Sequence, residues 1–500
     1  MSDAVSDAEA TGWRLAVVVL AAGAGTRMRS DTPKVLHPIG GRSLLAHVLD
    51  AVAPLEPAET AVVVGHGRDA VIATLPDSAR PVVQQERRGT GHAARLAVEA
   101  IAARGNLPGT VLVIFGDTPL LTTATLERLV AAHRRTGATA TLLTAEAPDP
   151  TGYGRIIRDE HGAVRRVVEQ RDASETERAV REINTGVAAF ETDALRDGLK
   201  RLRSDNAAGE EYLPDVVAAF VAEGRLVVPV VGDIAETAGV NDRVQLAAAA
   251  AALRDRILTG WMRSGVSVAD PATTWVDVGV VISPDAVLLP NVQLHGSTSI
   301  GTGALLGPDC TLIDTMVGAR AVVCRAHCEG AVIGESASVG PFAYLRPGAR
   351  IGRGAKVGAY VEVKAAELGD HSKVPHLSYV GDATIGADVN IGAGTIFANY
   401  DGVEKNRSTV GDGAKTGAHN TFVAPVNIGA GAYTGGGTVV RHDVPPGALA
   451  VPGGGPQRTI EGWTERKRPG TRSAAAAAEA ATQPEPPDDH QPTESAERER

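Results

Sequence analysis

The sequence is poor in cysteine, aromatic residues and basic charge, and each shortage excludes a class of protein. Cys310, Cys324 and Cys328 give no even disulfide framework and no second pair for a metal site, so we expect buried or idle thiols. Aromatic residues form 3% of the chain against 57 glycines, which indicates turn-rich structure built on aliphatic side chains. A net charge of -10 argues against a general nucleic-acid binder.

The chain also lacks a long hydrophobic run and a recognisable leader. The apolar run at residues 15–22 is too short to cross a bilayer. Residues 1–11 lack the positive flank of a signal peptide. We therefore expect a cytoplasmic protein with no membrane or nucleic-acid partner. Its 500 residues, 43% of them hydrophobic, predict more than one packed domain.

The first half alternates short aliphatic runs with stretches of helical periodicity. Such alternation predicts an α/β, Rossmann-like domain whose mostly parallel sheet is covered by helices. Ligands of these sheets bind at the carboxyl ends of the strands. The predicted strands are residues 15–20, 60–64, 110–114 and 139–144, and the predicted helices are residues 43–53, 93–103 and 124–134.

The second half repeats with a period of six. Aliphatic residues recur at this spacing, many of them followed by glycine, which is typical of hexapeptide repeats whose stacked coils bury one continuous column. We predict a left-handed parallel β-helix. The inward positions are expected at Ile282, Leu288, Leu294, Ile300, Leu306 and Leu312, then Ile333, Val339, Leu345, Ile351, Val357 and Val363, then Val410, Thr416, Phe422, Ile428, Thr434 and Val440.

Two interruptions of the repeat are candidate binding loops, since loops that leave a solenoid favour function. The register is expected to slip between Glu367 and Val380, and a polar stretch interrupts it between Ala398 and Thr409. An alanine-rich helix is expected at residues 244–263. The predicted division is a disordered tail (1–12), the α/β domain (13–242), a linker helix (243–275), the β-helix (276–455) and a disordered low-complexity tail (456–500).

A glycine-rich turn follows the first predicted strand, at residues 20–28. Glycine lets backbone amides approach a phosphate, and Arg27 and Lys34 add charges that could neutralise a triphosphate. The turn matches neither G-x-x-x-x-G-K-[ST] nor G-x-G-x-x-G. By itself it therefore fits a phosphate site and a plain strand-to-helix turn equally well.

The longer string LAAGAGTRMRSDTPKVL, at residues 20–36, resembles the signature of sugar-1-phosphate nucleotidylyltransferases. With later segments such as Gly89-Thr90-Gly91-His92 and Gly152-Tyr153-Gly154-Arg155, nearly the whole chain resembles the bacterial bifunctional N-acetylglucosamine-1-phosphate uridylyltransferase/glucosamine-1-phosphate acetyltransferases. The resemblance implies nucleotide or sugar contacts at Leu20, Ala21, Ala22, Gly23, Lys34, Gln84, Gly89, Thr90, Phe115, Gly116, Asp117, Gly154, Glu169, Asn184 and Asn241.

The same resemblance implies UTP as co-substrate and Mg²⁺ on Asp117 and Asn241. Magnesium prefers oxygen ligands and keeps several waters, so one carboxylate and one amide oxygen suffice. A sugar phosphate attacks without a general base, so Arg27 and Lys34 are candidate catalytic groups that neutralise charge. Phe115 replaces a tyrosine frequent in the family, which removes a hydroxyl but no required group.

Segments of the β-helix match the same family, among them Val361-Glu362-Val363-Lys364 and Pro375-His376-Leu377-Ser378-Tyr379. Acetyl transfer requires that an ammonium loses a proton, and histidine, with a pKa of about 6.5, suits that task. Read alone, His376 would be a solvated turn residue. The resemblance implies His376 as general base, Arg346 and Lys364 on the sugar phosphate, and Tyr379 and Asn390 on the sugar. It also implies contacts along acetyl-CoA at Ala393, Asn399, Tyr400, Ala418 and Gly436.

Three substitutions and one further inference concern this second site. Ala418 stands where the family often has serine, Gly436 where it has alanine, and Gly453 where some members have arginine, which bears on coenzyme affinity rather than on chemistry. From the chemistry we also infer that the Asn399 amide could stabilise the developing oxyanion.

The resemblance implies a homotrimer that makes UDP-N-acetylglucosamine from glucosamine-1-phosphate through N-acetylglucosamine-1-phosphate, for peptidoglycan and cell-wall synthesis. The leading alternative is a single-function sugar-1-phosphate nucleotidylyltransferase whose β-helix is only structural. A non-catalytic subunit is a further alternative, but such chains usually lose the metal carboxylate or the loop cations, and Asp117, Arg27 and Lys34 are all present.

Overall fold

The computed structural model describes residues 14–105 and 107–453, with isolated positions between 462 and 478. The two predicted disordered tails, residues 1–12 and 456–500, lie outside the described residues apart from those isolated positions. Within the described part, none of the helices is long and apolar enough to cross a bilayer.

The first half contains a nine-stranded sheet and a separate two-stranded ribbon. The strands, in chain order, are β1 (Leu15–Leu20), β2 (Pro38–Ile39), β3 (Arg42–Ser43), β4 (Glu59–Val64), β5 (Ala79–Val83), β6 (Thr110–Phe115), β7 (Ala140–Glu146), β8 (Gly154–Arg158), β9 (Val164–Val168), β10 (Glu182–Glu191) and β11 (Val227–Gly232).

The order across the large sheet is β11-β7-β10-β6-β1-β4-β5, and a β8–β9 hairpin extends from β10. Strands β6, β1, β4 and β5 pair in parallel, as do β7 and β11, whereas β10 runs antiparallel between β6 and β7. The prediction of a mostly parallel sheet is confirmed. The carboxyl ends of β1, β4 and β6 therefore meet at one edge.

Helices cover both faces of this sheet, because alternate residues of β1 point into two separate cores. Side-chain oxygens of Ser43 and Thr122 cap the helices that follow them. The helices are α1 (Leu44–Val52), α2 (Arg68–Ile72), α3 (Thr90–Ala102), α4 (Thr123–Thr136), α5 (Glu175–Arg178), α6 (Thr192–Lys200), α7 (Asp215–Ala222), α8 (Ile234–Thr237) and α9 (Arg243–Arg263). The predicted strands and helices are present, with ends shifted by at most three residues.

The second half is a β-helix whose short strands stack in parallel on three faces. One face holds Ser267–Val268, Val287–Leu288, Leu305–Leu306, Val322–Val323, Ser338–Val339, Lys356–Ala359, Lys373–His376, Lys415–Thr416, Tyr433–Thr434 and Leu449–Ala450. The next holds Trp275–Val276, Val292–His295, Cys310–Ile313, Ala326–Glu329, Ala343–Leu345, Glu362–Lys364, Tyr379–Gly381, Ile396–Ala398, Thr421–Val423 and Val439–Val440. The third holds Val281–Ile282, Ser299–Ile300, Met316–Val317, Val332–Ile333, Arg350–Ile351, Glu367–Leu368, Ala383–Ile385, Ser408–Val410 and Val426–Ile428.

The period of six corresponds to the interior of the β-helix. All the predicted inward positions are buried, none more than 7% exposed, and they form one continuous core. Of the three cysteines, Cys310 and Cys328 lie in this core and Cys324 is half-buried, all with free thiols.

The predicted register slip between Glu367 and Val380 was wrong. Leu368, Val374 and Val380 are all buried at the regular spacing of six, and the shorter steps of five fall on either side, from Val363 to Leu368 and from Val380 to Ile385. The chain accepts both step lengths because each still turns one aliphatic side chain inward. The second predicted interruption is confirmed as a loop between the strands Ile396–Ala398 and Ser408–Val410.

Helix α9 (Arg243–Arg263) connects the two halves, and the β-helix already begins at the strand Ser267–Val268, before the predicted boundary at residue 276. Its Leu253 belongs to a small core with Ile39 and Leu44 of the α/β domain. Five residues later Leu258, which is fully buried, belongs to the core of the β-helix. One helix therefore contributes to the packing of both domains.

Candidate active sites

The first site lies where β1 and β6 end. The backbone N–H of Ala21 donates to Val63 O at 2.9 Å, and that of Gly116 donates to Leu20 O at 3.0 Å, so the strand ends continue into ordered loops. A Cβ on Gly116 would lie 3.1 Å from Ala21 Cβ, which makes this a close crossing of two chains. Asp117 follows directly and turns its carboxylate toward Lys34.

The glycine-rich turn is followed by a single 3₁₀ turn, Thr26–Met28, rather than by a helix. Gly25 adopts a left-handed φ of 61°, and a Cβ there would lie 2.6 Å from Lys34 Cβ. This glycine is therefore needed both for its backbone conformation and for the close approach of Lys34. So short a turn contributes little positive potential, and the charges of the side chains Arg27 and Lys34 must do more of the neutralisation.

Both predicted metal ligands converge on one cation. The Lys34 ammonium donates to Asp117 Oδ2 and, at 3.1 Å, to Asn241 Oδ1. The Asn241 N–H donates to Gln245 Oε1 at 2.7 Å, and the Val240 N–H donates to Asp117 O at 2.9 Å, so backbone contacts fix both ligands. A carboxylate and an amide oxygen that share one cation are a donor set that suits Mg²⁺.

Two cavities meet at this point. The larger has a volume of about 550 Å³ and is lined by the predicted sugar ligands Gly154, Glu169 and Asn184 and by Arg27. The smaller, about 390 Å³, is lined by the predicted nucleotide ligands Leu20, Ala21, Ala22, Gly23, Lys34, Gln84, Gly89 and Thr90. Both are lined by Thr90, Phe115, Asp117, Glu210 and Asn241. Gly116 lines neither cavity and lies behind Ala21.

A half-buried acidic group, Glu169, lines the larger cavity. Burial raises the pKa of Glu169, and the nearby carboxylates of Asp215 and Asp172 raise it further. A Cβ on Gly154 would lie 3.2 Å from Glu169 Oε1, so only glycine leaves that oxygen open to a ligand. Asn184 Oδ1 accepts a hydrogen bond from the Gly186 N–H at 3.2 Å, which leaves its amide N–H groups to donate. The cavity thus offers acceptors and donors suited to sugar hydroxyls.

Sequence reasoning missed the segment at Glu210 and Glu211. Glu211 is 4% exposed, and Arg95 Nη1 lies 2.8 Å and Arg88 Nη2 3.1 Å from its carboxylate. The Thr90 hydroxyl accepts from the Leu213 N–H at 3.0 Å. These contacts join the nucleotide loop to the wall of the sugar cavity. The acidic pair was visible in the sequence, but nothing in its spacing relates it to a loop more than a hundred residues away.

The second site is on the outer surface of the β-helix. His376 ends the strand Lys373–His376 and is exposed. Leu377 turns the chain with a left-handed φ of 49°, and its N–H donates to Ala359 O at 2.9 Å. The Ser378 hydroxyl donates to His376 O at 2.7 Å. The corner that carries the imidazole is therefore held by backbone contacts while the imidazole stays accessible.

Polar groups from successive coils meet on the adjoining face. Lys364 Nζ donates to Asp382 Oδ2 at 3.2 Å, and Asn399 Nδ2 donates to the same oxygen and, at 3.4 Å, to Tyr379 Oη. In the neighbouring pair, Arg346 Nη1 donates to Glu362 Oε1 at 2.8 Å. Glu362 lies beside Tyr379 across the parallel ladder. The structure thus brings four of the predicted residues together: Arg346, Lys364, Tyr379 and Asn399.

The predicted coenzyme residues lie along the following coils. The His419 N–H donates to Ala393 O at 2.6 Å and the Gly437 N–H donates to Ala418 O at 2.8 Å. A Cβ on Gly436 would lie 3.6 Å from Ala418 O, an ordinary contact, so the missing methyl leaves space. Asn390 bridges to Lys373 and Lys415 on the first face, away from the Lys364 contacts. Tyr400, 60% exposed, lies in the loop between two strands.

Fold and sites together define a two-domain transferase. A family model described as the MobA-like NTP transferase domain matches residues 17–187, and one described as bacterial transferase hexapeptide (six repeats) matches residues 330–365. The bifunctional protein GlmU of Thermobifida fusca is 57% identical over 92% of this chain and 96% of its own. The GlmU of Streptomyces avermitilis is 55% identical over 94% and 98%, and that of Corynebacterium efficiens 52% over 93% and 96%. The chain belongs to the GlmU family of bifunctional proteins.

Proposed function

We propose that the two sites act one after the other on the same sugar phosphate. As a member of its family, the chain is a bifunctional enzyme with an acyltransferase and a nucleotidyltransferase activity. Acetyl-CoA acetylates glucosamine-1-phosphate at the β-helix. UTP then converts N-acetylglucosamine-1-phosphate into UDP-N-acetylglucosamine at the α/β domain. The product serves peptidoglycan and cell-wall synthesis.

Uridylyl transfer is assigned to the two joined cavities. UTP occupies the smaller one, beside Gln84, and the sugar occupies the larger one, beside Glu169 and Asn184. An oxygen of the sugar phosphate attacks the α-phosphorus of UTP, and the bond to pyrophosphate breaks. The attacking oxygen is already anionic, so the protein aligns the phosphates and neutralises charge through Lys34 and Arg27.

Asp117 and Asn241 would hold Mg²⁺, and their shared hold on one ammonium group supports this assignment. When bound, the metal adds positive charge against the phosphate oxygens. The protein's own part is to keep the two ligand oxygens in place through the backbone hydrogen bonds of Val240 and Asn241.

The observation that carries the uridylyl assignment is the wall that both cavities share at Asp117 and Asn241. Asp117→Ala should lower pyrophosphate release from UTP and N-acetylglucosamine-1-phosphate by about 100-fold or more. Release of CoA thiol with glucosamine-1-phosphate should stay within about twofold of wild type. The neighbouring Asp242→Asn is the matched control, because asparagine caps a helix as well as aspartate does. Equal loss of both activities in Asp117→Ala would contradict separate sites.

Acetyl transfer is assigned to the surface around His376. The imidazole takes a proton from the glucosamine ammonium, and the freed amine nitrogen attacks the thioester carbonyl carbon. The C–S bond then breaks and the nitrogen loses its second proton to the leaving sulfur, which gives the amide and CoA thiol. Arg346 and Lys364 hold the sugar phosphate. The exposed position of His376 supports this role, since substrate can reach it. A chain with a purely structural β-helix, the alternative reading, would release no thiol.

We further propose that the chain is a homotrimer and that a neighbouring β-helix covers the acetyl-transfer surface. Tyr400 and Leu377 beside the site are each 60% exposed in the single chain, which supports a cover from outside. Dilution of the protein should therefore reduce specific acetylation more than specific uridylylation. Equal activity of both sites at a concentration where light scattering finds single chains would refute this.

A further inference from the structure

Asp382 lies among the proposed acetyl-transfer residues, although no motif or spacing singles it out. It follows the strand Tyr379–Gly381 and occupies a corner with a left-handed φ of 47°. Its N–H donates to Lys364 O at 3.0 Å, and its carbonyl accepts from the Ser408 N–H at 3.2 Å. Neighbouring coils therefore hold its backbone on both sides, which fixes the direction of its side chain.

A single carboxylate oxygen of Asp382 joins two of the proposed substrate ligands. Oδ2 accepts from Lys364 Nζ at 3.2 Å and from Asn399 Nδ2. The Asp382 and Lys364 side chains are only 15% and 19% exposed, so water screens their attraction less than at an open surface. Through Asn399 the contact extends to the Tyr379 hydroxyl, 3.4 Å from the amide nitrogen.

We propose that Asp382 is a positioning residue that holds Lys364, Asn399 and Tyr379 ready for glucosamine-1-phosphate. The inference rests on the acetyl-transfer function proposed above. It concerns the binding of the sugar phosphate and not the chemical step, because Asp382 itself does not touch the reacting atoms.

The charges around Lys364 explain why an anion is needed there. The pKa of Lys364 is raised: burial pulls it down, but the hydrogen bond with the Asp382 carboxylate and the attraction of that charge outweigh burial. The Lys405 side chain also lies near Lys364, so without a carboxylate the two ammonium groups would repel each other. A lysine has four flexible side-chain bonds, and fixing it beforehand saves that entropy when the phosphate binds.

The same contacts change the interpretation of Asn399. A side-chain amide has two N–H donors, and here one is directed at Asp382 and the other at Tyr379. Asn399 is also only 8% exposed. It therefore relays the position of Asp382 to Tyr379, and no donor remains for an oxyanion.

The test is the steady-state kinetics of the full-length enzyme carrying Asp382→Asn, which keeps the size and loses the charge. The KM for glucosamine-1-phosphate should rise about tenfold, the usual effect of losing one charge-assisted hydrogen bond. The KM for acetyl-CoA and the rate of uridylylation should stay within about twofold. Asp370→Asn is the matched control, since Asp370 pairs with Arg353 outside the site, and it should leave every constant unchanged.

Two more variants separate positioning from general damage. Asp382→Glu restores the charge and should recover most of the lost affinity. In a Lys364→Met background, Asp382→Asn should add a clearly smaller rise in KM, because the part of its effect that passes through the ammonium is already lost.

An unchanged or lower KM in Asp382→Asn, or a full additional effect in the Lys364→Met background, would overturn the inference. The proposed function fails differently: wild-type enzyme would then release no CoA thiol with glucosamine-1-phosphate, or His376→Ala would release it at the wild-type rate.

Discussion

The two sites differ in how much of each a single chain encloses. The proposed uridylyl site consists of two cavities inside one domain, about 550 and 390 Å³ in volume, with buried groups such as Gln84 in their walls. The proposed acetyl site lies on an outer surface, where His376 and Tyr400 are exposed. The two proposed reactions have similar needs, since each uses an anionic sugar phosphate.

The enclosure of a site and the ordering of its side chains are separate properties. In the cavities, depth removes water and strengthens each charge interaction. On the β-helix, order comes instead from backbone hydrogen bonds between successive coils, such as that from the Asp382 N–H to Lys364 O, and from the side-chain contacts of Asp382 with Lys364 and Asn399. Such a surface positions its groups well but leaves them open to water, so it gains most from a partner that covers it.

The largest expected effect tests whether the sites are independent. His376→Ala removes the proposed general base and should lower acetylation by roughly 10²- to 10⁴-fold, as judged by CoA thiol release. Uridylylation, followed through pyrophosphate, should remain within about twofold, because the imidazole is on a different domain. His371→Ala, an exposed histidine at another corner of the β-helix, serves as control. A comparable loss of uridylylation in His376→Ala would contradict the independence of the two sites.

A smaller effect, the pH dependence of stability, tests how enclosed the larger cavity is. Burial raises the pKa of Glu169 above its ordinary value of 4.5, and Asp215 and Asp172 raise it further. Between the unfolded and the folded pKa, the folded state holds a proton that the unfolded state has released, so the free energy of unfolding falls as pH rises through that window. Urea unfolding between pH 4.5 and 7 should show this decline, and Glu169→Gln should flatten it.

The flattening should be partial, because burial also raises the pKa of Asp215. A wild-type slope identical to that of Glu169→Gln would mean that the carboxyl is solvated and that the cavity is more open than the structure indicates.

The smallest expected effect concerns the coenzyme path. Gly436→Ala restores a methyl group common in the family, and its Cβ would lie 3.6 Å from Ala418 O without a clash. The free energy of unfolding should change by less than about 0.5 kcal/mol. Gly417→Ala, one coil away, would place its Cβ 2.5 Å from Gly436 N and should cost about 1–3 kcal/mol. Thermal unfolding of the two variants would measure the difference, and equal melting temperatures would contradict the packing described.

Much of the architecture could be predicted from sequence because it depends on repetition. The burial of residues such as Ile282 and Val440 could be predicted from their spacing alone. In the same way, the alternation of strands and helices predicted the parallel sheet. The register slip was misplaced because steps of five and six both bury an aliphatic residue, and glycines do not distinguish them. The homotrimer, the cytoplasmic location and the roles of individual residues stay predictions.

Contacts between distant segments could not be predicted in the same way. Asp382, Glu211 and the buried Arg155, which donates to Gln170 Oε1 at 2.6 Å, are single polar residues without a period. The role of each depends on contacts with residues that are distant in sequence and close only in the folded chain. The motifs predicted which side chains bind substrate, but they did not predict the neighbouring side chains that hold those binding residues in place.

Helix α9 has a practical consequence for dividing the molecule. Asn241 and its N-cap residue Asp242 stand at its start, Leu253 packs under the first domain, and Leu258 is already inside the solenoid. A cut at residue 242 would remove the helix that follows Asn241, the proposed metal ligand, from the first domain. A free-standing first domain needs the helix at least through Leu253. The positions that the β-helix normally covers would then be exposed and would require polar replacements.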